Sequence, residues 1–147
     1  MDGTFDADDL ARLRIALARI ARSLDRRTRG DELTRTQASA LATITRRGPI
    51  RISEVAEIEG VNPTMLSRIV GKLEDAGLLR RTPDPDDGRA ARVEATPAGA
   101  AETLRLRAER TELLARHLAS MPPDEAGRLL VALPALESLA QHLMGPA

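Results

Sequence analysis

The 147-residue sequence contains no cysteine, no tryptophan and no tyrosine, and Phe5 is its single phenylalanine. Without thiols, the chain cannot form disulfides, thiolate nucleophiles, cysteine redox sensors or cysteine-type zinc sites. Because aromatic rings are almost absent, the core must be built from Leu, Ile, Val and Ala, a composition that favours helices. A chain of this length forms one domain, or one compact domain with additional helices for pairing.

Long apolar runs are also missing. No stretch approaches the roughly 20 residues that a membrane span requires, and the first residues lack the basic and apolar regions of a signal peptide. We therefore expect a soluble cytoplasmic protein with no membrane partner. The chain has no excess charge, since 22 basic residues balance 22 acidic ones, and residues 34–92 carry ten basic and eight acidic residues. Net charge alone neither favours nor excludes a nucleic-acid partner.

Patterns that support catalysis are equally scarce. His117 and His142 are the only histidines, and neither has the spacing of a metal site or of a nucleophile with its base. No glycine-rich phosphate loop is present. A metal held in a dimer by His117 and a nearby carboxylate is the weaker alternative. The sequence argues against an enzyme and identifies no cofactor.

Both ends of the chain carry amphipathic helices. A narrow apolar seam on a helix from about Asp8 to Arg27 consists of Leu10, Leu13, Leu17, Ile20 and Leu24. Thr96 and Pro97 open a long helix that extends to Leu118 and ends before Pro122. A leucine-rich last helix begins near Asp124, and Pro134 should kink or split it. Little within one chain can cover all these apolar faces, which predicts a homodimer built from both termini.

The sequence of the central segment predicts three helices, of which the last two are joined by a tight turn. Thr34 and Gln37 have the spacing of a capping box, opening a helix that runs to about Arg47. One or two extended residues at Ile50 and Arg51 precede a short helix over 52–59. Asn62 then caps a fourth helix, with Pro63 at its first position, which ends near Ala76. This spacing is typical of a helix-turn-helix.

The fourth helix has two contrasting faces. Its apolar side consists of Met65, Leu66, Ile69, Val70 and Leu73. The opposite side carries Thr64, Ser67, Arg68, Gly71, Lys72 and Asp75. Such a helix can lie deep in the major groove, because nothing bulky holds its backbone away and its cations meet base edges or phosphates.

Residues 77–99 predict a β-ribbon directly after this helix. The tight-turn residues 84–89 separate a strand near Leu78 to Thr82 from a return strand over Ala91 to Ala95. Arg89 would lie at the exposed tip of the turn. A ribbon of this kind can enter a DNA groove.

With these motifs the sequence resembles the MarR family of bacterial winged-helix transcription regulators. The most specific part is residues 53–99, in which LEDAGLLRR at 73–81 resembles the family's "LExxGLIxR" passage and PDPDDGR at 83–89 resembles its wing. TPAG at 96–99 is similar to the "LTxxG" exit, although Ala95 replaces the usual leucine. Gly88 replaces an arginine that is frequent in the family, and this change should reduce the number of contacts between the wing and DNA phosphates.

The resemblance implies a mainly α fold with a small β-wing. A winged helix-turn-helix over 34–96 would bind DNA, and helices from 1–33 and 97–147 would form a homodimer on a pseudo-palindromic operator. It also implies that Arg89 enters the minor groove and that Asp87 braces the wing and this arginine. The implied activity is that of a transcriptional repressor that binds double-stranded DNA sequence-specifically. A small lipophilic or phenolic anion would modulate its affinity for DNA.

Site residues follow as hypotheses. Residues expected to face the major groove are Pro63, Thr64, Ser67, Arg68 and Lys72. Residues expected to contact phosphates are Thr36, Arg51, Ser53 and Arg81. The alternative function is a winged-helix module that binds another protein without specific DNA binding. The small polar face of the fourth helix argues against it, because protein hot spots favour large aromatic and apolar anchors.

Overall fold

The computed structural model describes residues 5–26 and 33–144. It divides into two units, residues 1–110 and 111–147, so that the boundary falls within one long helix. Within the described ranges, no helix combines the length and the apolar character needed to cross a membrane.

The central segment folds into three helices and three short strands. In chain order these are α2 (Arg35–Arg47), β1 (Ile50–Arg51), α3 (Ile52–Glu59), α4 (Pro63–Asp75), β2 (Leu79–Pro83) and β3 (Ala91–Ala95), preceded by α1 (Ala7–Arg26). The predicted capping box is formed, since Thr34 Oγ1 accepts a hydrogen bond from the Gln37 N–H and Gln37 Oε1 accepts one from the Thr34 N–H. These boundaries agree with the predicted ones to within a residue or two.

The strands form one antiparallel sheet in the order β1-β3-β2. Leu79 pairs with Ala95 at one end of the β2–β3 ribbon, and Pro83 pairs with Ala91 at the other. Ile50 pairs with Val93 in β3. The sequence predicted extended residues at 50–51 but gave them no partner. Their pairing with β3 joins the residue before α3 directly to the wing.

The core of this segment lies between α2, α3, α4 and the sheet. Its largest fully buried side chains are Leu41, Ile44, Val55, Leu66, Val70, Leu73 and Val93. All are aliphatic, as the shortage of aromatic residues required. Because α4 contributes three of them, its buried side is fixed, and its opposite side must face solvent.

Two glycines connect α4 to the wing and to the next helix. Gly77 adopts φ 74°, a left-handed conformation that ends α4 and turns the chain into β2. Gly99 lies so close to the Leu78 carbonyl that a side-chain methyl group would collide with it. This close approach holds the start of the helix after β3 against the start of the wing.

Helices outside the winged segment expose much of their apolar surface within a single chain. They are α1 and, after the wing, α5 (Pro97–Ala119), α6 (Pro123–Val131) and α7 (Leu133–Met144). The α1 seam residues Leu10 and Ile20 are each 50% exposed, and Val131 in α6 is 83% exposed. On α5, Leu104 and Leu114 are exposed, whereas Leu106 and Leu113 are buried.

Pro134 splits the last helix. A break at Ala132 separates α6 from α7, and Pro134 occupies the second position of α7. Proline is tolerated there because the first helical N–H groups have no partner within the helix. The mainly α fold with a small β-wing is confirmed.

Candidate nucleic-acid interface

The outer face of α4 is a row of short polar and basic side chains. Asn62 Oδ1 accepts a hydrogen bond from the Met65 N–H at 2.8 Å, and Pro63 occupies the first helical position. Beyond this cap, the expected groove-facing residues are all exposed, namely Pro63, Thr64, Ser67, Arg68 and Lys72. Arg68 and Lys72 form no ion pair with any residue that the structure describes. Both cations are therefore available to an external anion.

Met65 departs from the prediction. The sequence assigned it to the apolar side of α4, but it is 48% exposed, whereas Leu66 and Val70 are fully buried. At 100° per residue Met65 lies at the edge of the apolar stripe, about 90° from its centre.

The tip of the wing presents Arg89 to solvent. Asp87 Oδ1 accepts a hydrogen bond from the backbone N–H of Arg89 at 3.0 Å, and the Ala90 N–H donates to the Asp87 carbonyl at 3.0 Å. The carboxylate thus fixes the turn through the main chain. The sequence also predicted a hydrogen bond from the Arg89 guanidinium to the Asp87 carboxylate. Within the described residues this hydrogen bond is not formed. Arg89 is exposed and carries no ion pair within these residues.

The base of the wing is organised by Asp84, which is 3% exposed. Its Oδ2 accepts from the Nε of Arg51 at 2.6 Å and from the Nε of Arg92 at 3.1 Å. Its Oδ1 accepts from the backbone N–H groups of Asp86 at 2.8 Å and Asp87 at 3.2 Å. One carboxylate therefore joins β1, β3 and the turn.

The strand register explains why an anion is needed at this position. Arg51 in β1 lies directly opposite Arg92 in β3, and like charges at facing positions of a sheet destabilise it. Asp84 accepts from both guanidinium groups and offsets their repulsion. Sequence reasoning treated Asp84 only as a turn-former, since strand pairing between residues 51 and 92 could not be read from the chain.

These contacts shift two ionisation equilibria. The hydrogen bond from Arg51, followed by that from the Asp86 N–H, holds the pKa of the Asp84 carboxyl well below its ordinary value. The same hydrogen bond to Asp84 raises the pKa of the Arg51 guanidinium. The carboxylate is therefore ionised throughout the neutral range, and the cluster carries a fixed charge.

The expected phosphate contacts divide into two groups. Arg51 is paired with Asp84, and the Arg81 Nε donates to Glu74 Oε2 at 2.8 Å, so both arginines are partly neutralised within the chain. Ser53 is exposed in the first turn of α3, and Thr36 is half-buried in the first turn of α2. Of the four residues, Ser53 and Thr36 are therefore the two at helix starts, and Arg51 and Arg81 are the two with a carboxylate partner in the chain.

Comparison with known proteins agrees with this geometry. The sequence model of the MarR family matches residues 33–91. An HTH-type transcriptional regulator of Mycobacterium tuberculosis is 32% identical over 120 residues, which cover 82% of this chain and 84% of that protein. The chain belongs to the MarR family. The resemblance inferred from its motifs is confirmed, and this MarR-family protein is a DNA-binding transcriptional regulator.

This MarR-family chain is also similar to a second protein in sequence and to a third in structure. The HTH-type transcriptional repressor MdtR of Bacillus subtilis is 28% identical over 93 residues, or 63% of this chain and 60% of that protein. The structure of Streptococcus pneumoniae FabT in complex with DNA superposes with a TM-score of 0.67 at 16% identity, covering 91% of this chain and 99% of that one. At that identity the likeness concerns the fold alone.

Proposed function

We propose that this MarR-family protein is a homodimeric repressor that binds a pseudo-palindromic operator in double-stranded DNA. Each chain inserts α4 into a major groove and the tip of its wing into the adjacent minor groove. Residues 34–96 form the DNA-binding domain, and the helices of 1–33 and 97–147 form the dimer. A relative that is named as a transcriptional repressor supports this assignment.

The distribution of paired and unpaired cations carries the proposal. Along the wing, Arg51, Arg81 and Arg92 are held by carboxylates of the same chain. Arg68, Lys72 and Arg89 have no such partner among the described residues and are exposed. All three lie on the two elements that enter grooves in a winged helix, so the proposed DNA surface carries uncompensated positive charge even though the net charge of the chain is zero.

Dimerisation follows from the exposed apolar side chains of the helices at both chain ends. Leu10, Leu13, Leu17 and Ile20 on α1 are between 38% and 50% exposed, and Leu143 on α7 is 77% exposed. Soluble monomers rarely expose contiguous apolar surface on this scale, whereas interfaces between copies bury it. Two copies also match the two half-sites of a palindrome.

The test of this function is selection of bound fragments from a random duplex library, followed by fluorescence anisotropy over a salt series. We expect enrichment of an inverted repeat, binding that weakens steeply with salt, and a dimer by light scattering. A monomer at micromolar concentration, or binding to duplex DNA that does not depend on salt, would contradict the proposal and favour a protein-interaction module.

Lys72→Ala should remove one phosphate contact from each half-site. Because each neutralised phosphate contributes about 0.9 to the slope of log K against log salt, the slope should decrease by about 2 for the dimer. Preference among operator variants should stay unchanged, since phosphate contacts carry no sequence information. Lys72→Arg, which keeps the charge, is the matched control. An unaltered slope in Lys72→Ala would exclude this residue from the phosphate contacts.

We further propose that a small lipophilic or phenolic anion modulates DNA affinity. Support comes from Arg110 in α5, whose Nε is buried and has no hydrogen-bond acceptor among residues 5–26 and 33–144. A buried donor without an acceptor is costly, and an anionic group is the chemistry that would satisfy a guanidinium. The aliphatic composition of the chain would leave the ring of such a ligand in contact with apolar walls.

Salicylate serves as the probe for this effector. At about ten times its dissociation constant it should stabilise the protein by about 1.4 kcal/mol, which a thermal-shift assay detects. Arg110→Met should be at least as stable without salicylate, because the variant removes the unpaired donor, and should lose the salicylate response. Equal thermal shifts in the two proteins would remove Arg110 from the effector site.

A further inference from the structure

Met65 is an apolar side chain exposed on a surface that is otherwise polar. Across described residues 33–96, only Ile58 and Met65 are large hydrophobic side chains with extensive exposure, at 42% and 48%. The neighbouring residues of the apolar stripe on α4, Leu66 and Ile69, are 0% and 7% exposed. Met65 therefore contributes little to the core of its own chain.

Its position on α4 is fixed by the helix cap. The Met65 N–H donates to Asn62 Oδ1 at 2.8 Å, which makes it the third residue of the helix. At 100° per residue, Met65 is about 20° from Lys72 and about 60° from Arg68 around the helix axis. The side chain thus emerges beside both cations, in the N-terminal turns through which recognition helices contact base edges.

The chemical groups exposed in the major groove determine which of them the Met65 thioether can contact favourably. Base edges in this groove present hydrogen-bond donors and acceptors, and the single apolar group is the C5-methyl of thymine. Methionine is long, unbranched and polarizable, and it adapts to irregular apolar surfaces. The thioether of methionine donates no hydrogen bond and accepts only weakly, so its favourable contact in the groove is with a methyl group.

We propose that Met65 is a specificity-determining residue that contacts a thymine methyl group in each half-site. The inference rests on the proposed function, because it requires α4 to lie in the major groove. It adds an apolar contact to the polar ones expected from the groove-facing residues of α4, such as Arg68. Ile58 has no equivalent role, because the first helix of a helix-turn-helix crosses the DNA backbone rather than the base edges.

The test replaces thymines of the selected operator one at a time by uracil, which removes only the methyl group. Fluorescence anisotropy at constant salt should show one position per half-site at which uracil weakens the wild-type protein about fourfold, the effect of one lost methyl contact. Met65→Ala should bind the thymine and uracil duplexes equally at this position. Ile58→Ala, the matched apolar control, should keep the wild-type sensitivity to uracil.

Two results would overturn the inference. In one, the wild-type protein binds every uracil duplex as tightly as the thymine duplex. In the other, Met65→Ala keeps the full uracil effect, which would assign the methyl contact to another residue. Both results leave operator binding and its salt dependence intact, so they are distinguishable from failure of the proposed function. Circular dichroism should give the same spectrum for Met65→Ala and the wild type, because the side chain is half exposed.

Discussion

Asp84→Asn is expected to lower the thermal stability of the protein by several degrees and to reduce its ratio of specific to non-specific DNA affinity about tenfold. The carboxylate accepts four hydrogen bonds and is buried between two arginines on facing strands. An amide cannot accept all four, and without the charge Arg51 and Arg92 repel each other. Differential scanning calorimetry and anisotropy with operator and random duplexes measure the two effects.

Asp84→Asn distinguishes the loss of wing geometry from the loss of one negative charge. Removing a negative charge near DNA should strengthen non-specific binding, whereas loss of wing geometry should weaken specific binding. Asp86→Asn is the matched control, because it makes the same charge change in the same turn at a side chain that is 79% exposed. We expect the control to keep wild-type stability and most of its specificity. Identical behaviour of the two variants would show that charge alone accounts for the effect of Asp84.

The lowered pKa of the Asp84 carboxyl predicts how the free energy of unfolding depends on pH. Its pKa in the folded protein is lowered, so its contribution is fully present above the unfolded value of about 3.9 and is lost as pH falls towards the folded value. Calorimetry should therefore show a contribution that is constant from about pH 5 upward and declines below about pH 4. In Asp84→Asn this part of the acid dependence should be absent.

Arg89→Ala is expected to weaken operator binding by about 1 to 3 kcal/mol without changing the dimer. The side chain lies at the tip of a turn fixed by the Asp87 carboxylate, and it has no carboxylate partner among the described residues. A narrow minor groove concentrates negative potential, and a guanidinium at the end of a rigid turn binds there with little loss of side-chain freedom. Gel-shift titration at constant salt measures the change.

Two controls define the Arg89 result. Arg116→Ala removes the same charge from α5, which belongs to the proposed dimerisation helices rather than to the DNA-binding domain, and should change affinity little. Arg89→Lys keeps the charge but not the planar fork, so its affinity should lie between those of Arg89→Ala and the wild type. If Arg89→Ala binds the operator as tightly as the wild type, the wing does not use this residue.

The local elements of the fold were predictable because their causes lie within a few residues. The Thr34 and Gln37 box, the Asn62 cap with Pro63, and Gly77 after α4 each act over one turn of helix, and the structure contains all three. The buried side of α4 followed from helical periodicity alone. Met65 was the error in this prediction, because the width of a buried stripe depends on which neighbours cover its edge.

The residues of the candidate site could be predicted from the sequence. Which of their positive charges remain free to bind DNA could be predicted only in part. The sequence assigned Arg51 and Arg81 to phosphates, Arg68 to the major groove and Arg89 to the wing. It did not show which of them pair with carboxylates of the same chain. The structure pairs Arg51 with Asp84, 33 positions away, and Arg81 with Glu74, and it leaves Arg68 and Arg89 without an ion pair among the described residues. These pairings arise when distant segments meet in the sheet, and no local rule encodes them.

By itself, the sequence determined the aliphatic helical composition, the helix boundaries, the ribbon and the family, since each depends on local composition, spacing or motif. Only the tertiary structure decided that β1 joins the wing, that Asp84 neutralises the facing arginines, and that Pro134 divides the last helix into two. The physical reason is the range of the interactions. Caps and turns act over three or four residues, whereas strand register and ion pairing depend on where the folded chain brings remote residues together.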